Sequence, residues 1–251
     1  MAVKTDKIAV FDSGVGGISV LRELMAVMPG ENYLYFGDSA NAPYGTRPTQ
    51  QVKELTLAAA DMLLSRNVKA LVVACNTATA AAINDLRQKY PDAIIVGIEP
   101  ALKLAADHYP NGRIGVMATP VTLREEKFAN LAHRFPQMQV SSIPVPGLVE
   151  LIEKGCEESV LEEFLRPVLG NYEGLLDAVV LGCTHYPFAA ATIQKLLGSQ
   201  TALLDGSAGT ARETRRRLAA ADLLLEGEGS LQIENSSADP EIIKRCIELL
   251  K

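Results

Sequence analysis

The chain is 251 residues long, enough for one large domain or two modest ones with a substantial core. Its hydrophobic fraction, 48%, is ordinary for a soluble globular protein, and no apolar run approaches the roughly 20 residues needed to cross a bilayer. Acidic residues outnumber basic ones, 30 to 24, and the net charge of −6 disfavours nonspecific binding to nucleic acid. The polar opening from Met1 to Lys7 runs directly into Ile8-Ala9-Val10-Phe11, which is not the layout of a secretory signal, so a cytoplasmic location is expected.

Short apolar runs of β type alternate along the chain with longer amphipathic stretches. Strands are predicted at Ile8–Phe11, Tyr33–Phe36, Ala70–Ala74, Ile94–Ile98, Ile114–Ala118, Val140–Ile143, Ala178–Leu181 and Ala202–Leu204. Helices are predicted between them, at Ile18–Met28, Gln50–Arg66, Thr79–Lys89, Val121–Arg134, Val160–Asn171 and Ala208–Leu225. The Gly-, Ser- and Glu-rich stretch from Glu226 to Asp239 reads as a loop before a last amphipathic helix, Glu241–Leu250. Strands that are apolar throughout and alternate with helices indicate an α/β fold, its parallel sheet covered on both faces.

The first motif in chain order is Asp12-Ser13-Gly14-Val15-Gly16-Gly17, set between a strand and a helix. Such a turn exposes backbone N–H groups and a helix N-terminus that attract anions, and a carboxylate ligand suits them. The glycine spacing is not the dinucleotide fingerprint, and a purely structural turn remains open. Asp12 argues against the structural reading, because an acid beside an anion site repels the anion unless it takes part in chemistry. The later loop Gly37-Asp38-Ser39-Ala40-Asn41-Ala42-Pro43-Tyr44-Gly45 is polar and turn-rich, where functional loops and ordinary connections both occur.

Four cysteines, Cys75, Cys156, Cys183 and Cys246, do not imply disulfides in a reducing compartment. Two of them end apolar runs. In Cys75-Asn76-Thr77-Ala78-Thr79 the thiol stands at a predicted strand-to-helix junction, where the positive helix end lowers a thiol pKa and amide and hydroxyl groups can hold a carboxylate. In Gly182-Cys183-Thr184-His185-Tyr186-Pro187 a histidine two residues on could orient substrate, shuttle a proton or bind metal. A free cysteine is more often a small buried hydrophobe. Three histidines and four scattered cysteines give no metal cluster, and a Cys–His hydrolase would leave the second thiol without a task. His108 and His133 read as surface or core histidines, and Arg212, Arg215, Arg216 and Arg217 as the solvated face of a helix.

The chain also resembles itself. Ile8-Ala9-Val10-Phe11-Asp12-Ser13 is similar to Ile114-Gly115-Val116-Met117-Ala118-Thr119, and the run ending in Cys75-Asn76-Thr77 is similar to the one ending in Cys183-Thr184-His185, at nearly the same offset. Two matches at one offset point to a duplicated half. Each half then carries one cysteine just beyond the C-terminal end of a strand, the edge at which open α/β sheets bind ligands.

Taken together, Phe11-Asp12-Ser13-Gly14-Val15-Gly16-Gly17, Gly37-Asp38-Ser39 with Pro43-Tyr44-Gly45, Ala74-Cys75-Asn76-Thr77, Ala118-Thr119 with Thr122, Leu148-Val149-Glu150 and Gly182-Cys183-Thr184-His185 resemble the glutamate racemases of the aspartate/glutamate racemase superfamily. The resemblance covers nearly the whole chain. It implies two α/β domains related by pseudo-twofold symmetry, with mainly parallel sheets and the active site in the cleft between them. The first domain would be 1–97 plus 207–251, and the second 98–206. It implies cofactor-independent racemisation of glutamate, with no metal and with D-glutamate supplied for peptidoglycan synthesis, by a homodimer that binds neither nucleic acid nor membrane. Cys75 would take the α-proton of D-glutamate and Cys183 that of L-glutamate, assisted by Asp12 and His185 respectively. Ser13, Asn76, Thr77, Thr119 and Thr184 would hold the substrate, Pro43, Tyr44 and Gly45 would shape the pocket, and Glu150 would serve as an orienting carboxylate. The competing readings are a racemase of aspartate or another amino acid, and a non-catalytic amino-acid-binding module.

Overall fold

The computed structural model describes residues 2–98, 101–124 and 134–251. In chain order the strands are β1 (Lys7–Asp12), β2 (Asn32–Gly37), β3 (Val68–Val73), β4 (Ile94–Gly97), β5 (Arg113–Ala118), β6 (Gln139–Pro144), β7 (Ala178–Gly182), β8 (Ala202–Leu204) and β9 (Ser230–Asn235). Every pairing between them is parallel. They form two sheets, one of order β4-β3-β1-β2-β9 and one of order β6-β5-β7-β8. The chain divides into two compact units, Met1–Glu99 with Ser207–Lys251, and Pro100–Gly206.

Each sheet repeats one topological pattern. The first strand of each half, β1 or β5, has the second on one side and the third on the other, with the fourth beyond the third. The direction of winding therefore reverses between β1 and β3 in the first unit and between β5 and β7 in the second. At such a switch point the connections leave in opposite directions and open a crevice at the carboxyl ends of the strands. The strands matched by internal similarity, β1 with β5 and β3 with β7, occupy equivalent places.

Alternation along the buried strands decides which helices cover them. Leu71 and Val73 of β3 join an apolar cluster with Val52, Ala60 and Leu63 of helix Thr49–Leu64 and with Ala78 and Leu86 of helix Asn76–Lys89. In the second unit Val179 and Leu181 of β7 pack on helices Leu148–Glu153, Glu158–Leu169 and Ala190–Leu197, while Ala178 and Val180 meet helix Ala101–His108 on the other face. Burying one such side chain stabilises the fold by about 1.5–3 kcal/mol. Both cysteines of interest continue this period of two, Cys75 after Leu71 and Val73, and Cys183 after Val179 and Leu181.

Helices Ala101–His108, Leu148–Glu153 and Ala190–Leu197 stand where none was predicted, and two further stretches differ from expectation. Glu226 to Asp239, expected as a loop, contains β9, which pairs with β2 along its length from Ser230↔Asn32 to Asn235↔Gly37. Its sequence, Ser230-Leu231-Gln232-Ile233-Glu234-Asn235, alternates polar and apolar as an edge strand does, and lacks the continuous apolar run that marks the inner strands. The helix expected over Ala208–Leu225 is Ser207–Ala220. It ends where Asp222 turns left-handed, at φ 54°, and the Leu223 N–H reaches back to the Leu218 carbonyl at 2.9 Å. Of the helix expected over Val121–Arg134, Pro120–Arg124 is seen, and residues 125–133 lie outside the described residues.

The end of this returning segment is fastened by a buried ion pair. Lys69 of β3 and Glu31 have side chains 0% and 1% exposed, with Nζ 2.5 Å from Oε2. The same ammonium donates to the carbonyls of Lys4 (2.5 Å) and Leu223 (2.9 Å), and Glu31 Oε1 accepts the Leu225 N–H at 2.8 Å. Removing one partner would strand the other charge away from water. Lys69→Met is therefore expected to lower stability by about 3–5 kcal/mol. The double variant Lys69→Met, Glu31→Gln should be the more stable of the two, because the stranded charge is gone; urea unfolding of both checks this.

Candidate active site

In the first unit the switch point is lined by the ends of β1 and β3. Asp12, the last residue of β1, is fully buried, and its Oδ1 accepts the Gly14 N–H at 2.9 Å, which pins the glycine turn to the strand end. Gly17 opens the following helix, and a Cβ there would come within 2.6 Å of the Asp12 Cβ, so the turn can close over this acid only with glycine at that place. Cys75 directly follows β3 and Ala74, and caps helix Asn76–Lys89, its sulfur accepting the Ala78 N–H at 3.4 Å. The thiol also donates to Ser13 Oγ at 3.5 Å. Thus the acid, the hydroxyl and the thiol expected from the sequence meet at one crevice. An N–H at a helix start aimed at sulfur is the environment that steadies negative charge there.

The neighbouring residues arrive by two routes. Asn76 and Thr77 form the first turn of the helix behind Cys75; Thr77 is buried, and among the described residues no donor reaches the buried Asn76 Oδ1. Pro43, Tyr44 and Gly45 lie in the loop after β2, with Pro43 exposed, Gly45 half-buried and Tyr44 buried. The Tyr44 hydroxyl donates to Asp38 at 2.7 Å, and its ring leans on Phe11 at 6.4 Å between centroids. Burial first, then the Asp38 hydrogen bond and the Asp38, Cys75 and Asp12 charges, hold this phenol far above its ordinary value.

The second unit places Cys183 directly after β7, buried in the cluster that holds Leu181 and Tyr186. Its sulfur lies 3.7 Å from His185 Nδ1, and His185 Nε2 lies 2.9 Å from Glu153 Oε1. Thiol, imidazole and carboxylate form a relay in which the acid fixes the ring and the ring can exchange a proton with sulfur. Thr184 and His185 are both buried. Thr119 follows β5, the strand beside β7, and its hydroxyl pairs with Thr122 Oγ1 at 3.0 Å and accepts the Thr122 N–H at 3.3 Å. Tyr186 is raised by burial first, then by the Cys183 and Glu150 charges.

The carboxylate on His185 is Glu153, which the sequence reading did not single out, while the charge of Glu150 acts on Tyr186. Both belong to the short helix Leu148–Glu153, in which Glu150 is exposed and Glu153 turns its head inward. The only signal that could have separated them is helical phase: Leu148 and Ile152 are buried, and Glu153 adjoins the second of these. Of the residues set aside, His108 is exposed, and His133 lies outside the described residues. Arg212, Arg215 and Arg216 are exposed as expected, while Arg217 turns back to Glu213 and the Ile95 carbonyl. Among the described residues no group of three or more His, Cys, Asp or Glu side chains could hold a metal ion, and no helix is long and apolar enough to cross a membrane.

Residues 18–214 match the Asp/Glu/hydantoin racemase family. The chain belongs to that family. Among this racemase's relatives, the glutamate racemase of Clostridium botulinum strain Hall is 47% identical over 99% of this chain and 98% of its own. Solved structures give the same answer. A glutamate racemase from Francisella tularensis in complex with D-glutamate superimposes with a TM-score of 0.86 at 27% identity, covering 99% of this chain and 94% of that one. The Escherichia coli glutamate racemase, in complex with L-glutamate and the activator UDP-MurNAc-ala, gives a TM-score of 0.83 at 31% identity over 97% and 94% of the two chains. Each unit of this racemase thus pairs a switch-point thiol with its own polar partners and a buried tyrosine.

Those tyrosines make a measurable prediction. An unfolded phenol ionises near pH 10.0, whereas folded Tyr44 and Tyr186 keep their protons well beyond that. Above pH 10.0 the unfolded state therefore binds fewer protons, and the stability these groups contribute, intact below that pH, is lost as pH rises. Phenolate absorbance should show both tyrosines ionising only together with loss of the fold, and Tyr44→Phe should flatten the alkaline decline in stability.

Proposed function

We propose that this protein interconverts L- and D-glutamate without a cofactor, Cys75 and Cys183 exchanging protons with opposite faces of the α-carbon. Inversion requires a proton to leave one face and another to arrive at the other, which a single fixed base serves poorly. From D-glutamate, the Cys75 thiolate takes the α-proton, the electron pair moves into the carboxylate as an enediolate, and the Cys183 thiol protonates the opposite face. Cys75 ends as thiol and Cys183 as thiolate, ready for the reverse reaction from L-glutamate. Asp12 assists the first thiol. His185, oriented by Glu153, assists the second.

The observation that carries this reading is that two thiols stand at equivalent switch points of two repeated sheets, each with hydrogen-bonding partners of its own, in a chain of a racemase family. Membership alone leaves the amino acid open. Full-length likeness to a glutamate racemase at 47% identity favours glutamate over aspartate. The α-proton beside an ionised carboxylate is weakly acidic, so preorganised donors must steady the developing charge. The backbone N–H groups of residues 14–17, Ser13, Asn76, Thr77, Thr119 and Thr184 are assigned that work, and Pro43, Tyr44 and Gly45 the shape of the pocket. We further assign the product to peptidoglycan synthesis in the cytoplasm, and the active form to a homodimer.

Purified protein with L-glutamate and nothing else should lose optical rotation and, in deuterated water, gain deuterium at Cα. Cys75→Ser and Cys183→Ser should each lower kcat by roughly 10²–10⁴-fold while the fold persists. A single variant racemising at the parental rate, or L-aspartate turned over faster than L-glutamate, would overturn the assignment. Glu153→Gln should slow turnover from L-glutamate, whereas Glu150→Gln should leave it close to the parent; steady-state rates in both directions decide between the two acids.

A further inference from the structure

The loop after β2 carries Tyr44 on its inner side, and what holds its outer side comes from the far end of the chain. Internally, Asp38 gathers the Tyr44 hydroxyl at 2.7 Å and the Asn41 amide at 3.1 Å to each carboxylate oxygen, and Arg47 Nε donates to the Asn41 carbonyl at 2.8 Å. Externally, the end of β9 grips Ser39 and Ala40. Asn235 Nδ2 donates to Ser39 Oγ at 2.9 Å, and Ser236 Oγ accepts the Ala40 N–H at 3.0 Å. The Ser236 N–H continues the ladder to the Gly37 carbonyl at 2.9 Å, and the Ser237 N–H fixes the other end of the Asn235 amide at 2.8 Å. Gly37 has no room for a side chain: a Cβ there would stand 2.4 Å from the Gly14 carbonyl and 2.7 Å from Asn235 Nδ2. The Asn235 amide therefore sits against the same strand end as the glycine turn.

These contacts exceed what an edge strand needs. Pairing of β9 with β2 is complete at Asn235↔Gly37, and the two side-chain bonds reach past it into the loop. We propose that Asn235 and Ser236 are positioning residues for the reaction: by holding Ser39 and Ala40 they keep the Tyr44 loop in register with Cys75 and so set how tightly glutamate is bound. The proposal rests on the glutamate reading above, and places in the tail, where the sequence shows no motif, a support for the substrate side of the first unit. Neither residue touches the reacting atoms. Their loss frees a loop that binding must then order, a cost borne equally by ground and transition states, so it raises KM and leaves kcat.

The double variant Asn235→Ala, Ser236→Ala should raise KM for both glutamate enantiomers by roughly fivefold, as the loss of two modest hydrogen bonds would. Its kcat and melting temperature should stay close to the parent. Amide hydrogen exchange over residues 38–47 should quicken while exchange over 70–74 does not. Ser236→Thr keeps the oxygen and should keep the parental KM, where Ser236→Ala does not. The idea is overturned by unchanged KM and exchange in the double variant, by a lowered melting temperature with parental KM, or by Ser236→Thr behaving as Ser236→Ala. If the parent itself fails to turn over glutamate, the glutamate reading falls, and exchange over 38–47 still decides whether the tail braces the loop.

Discussion

A parallel strand buried on both faces leaves its ends as the places where polar chemistry can stand in reach of water and ligand. In each sheet of this protein all strands point one way, so every carboxyl end comes to the same edge, and the reversal of winding beside the first strand opens a crevice there. That constraint puts Asp12 and Ser13 beside Cys75, and Thr119 just beyond the end of the strand next to the one that delivers Cys183. The thiols need no special loop to hold them. Each is the next inward position of a strand whose preceding inward residues are Leu71 and Val73, or Val179 and Leu181.

Repetition of the scaffold does not extend to the environment of the sulfurs. Cys75 caps a long helix and receives its amide, with a serine hydroxyl on the other side. Cys183 enters a short 3-10 turn at Tyr186–Ala189, and an imidazole held by a carboxylate stands at its side. Backbone dipole and titratable ring are different means of managing charge on a thiol. The repeated strand order has thus kept the position of the thiol and changed what surrounds it.

Much of this was legible because the inner strands announce themselves as unbroken apolar runs, and because a cysteine followed by Asn-Thr or Thr-His is an odd way to end one. That Cys75 and Cys183 each stand just beyond the end of an inner strand was readable from the apolar runs, whereas the partners Asp12, Ser13 and His185 came from the family resemblance. The failures were local and have physical causes. Glu153 was missed because it lies three residues from Glu150 on one short helix, and its reach to His185 is not encoded by any spacing rule. β9 was missed because an edge strand needs only one apolar face, and its Leu231 and Ile233 are diluted by polar neighbours within a glycine- and serine-rich stretch. The Lys69–Glu31 pair was equally hidden: a lysine at the start of a strand looks like an exposed residue until the fold closes over it.

The first unit is interrupted by the whole of the second, since its sheet draws β1 to β4 from the front of the chain and β9 from the back. As the polypeptide leaves the ribosome, residues 100–206 are complete, with all four of their strands, while β2 still lacks its outer neighbour. Until β9 emerges, that bare edge offers a row of unpaired amides and carbonyls to any passing strand. The half made first is therefore the half finished last, and stalled or truncated chains should be the form of this protein most prone to clump.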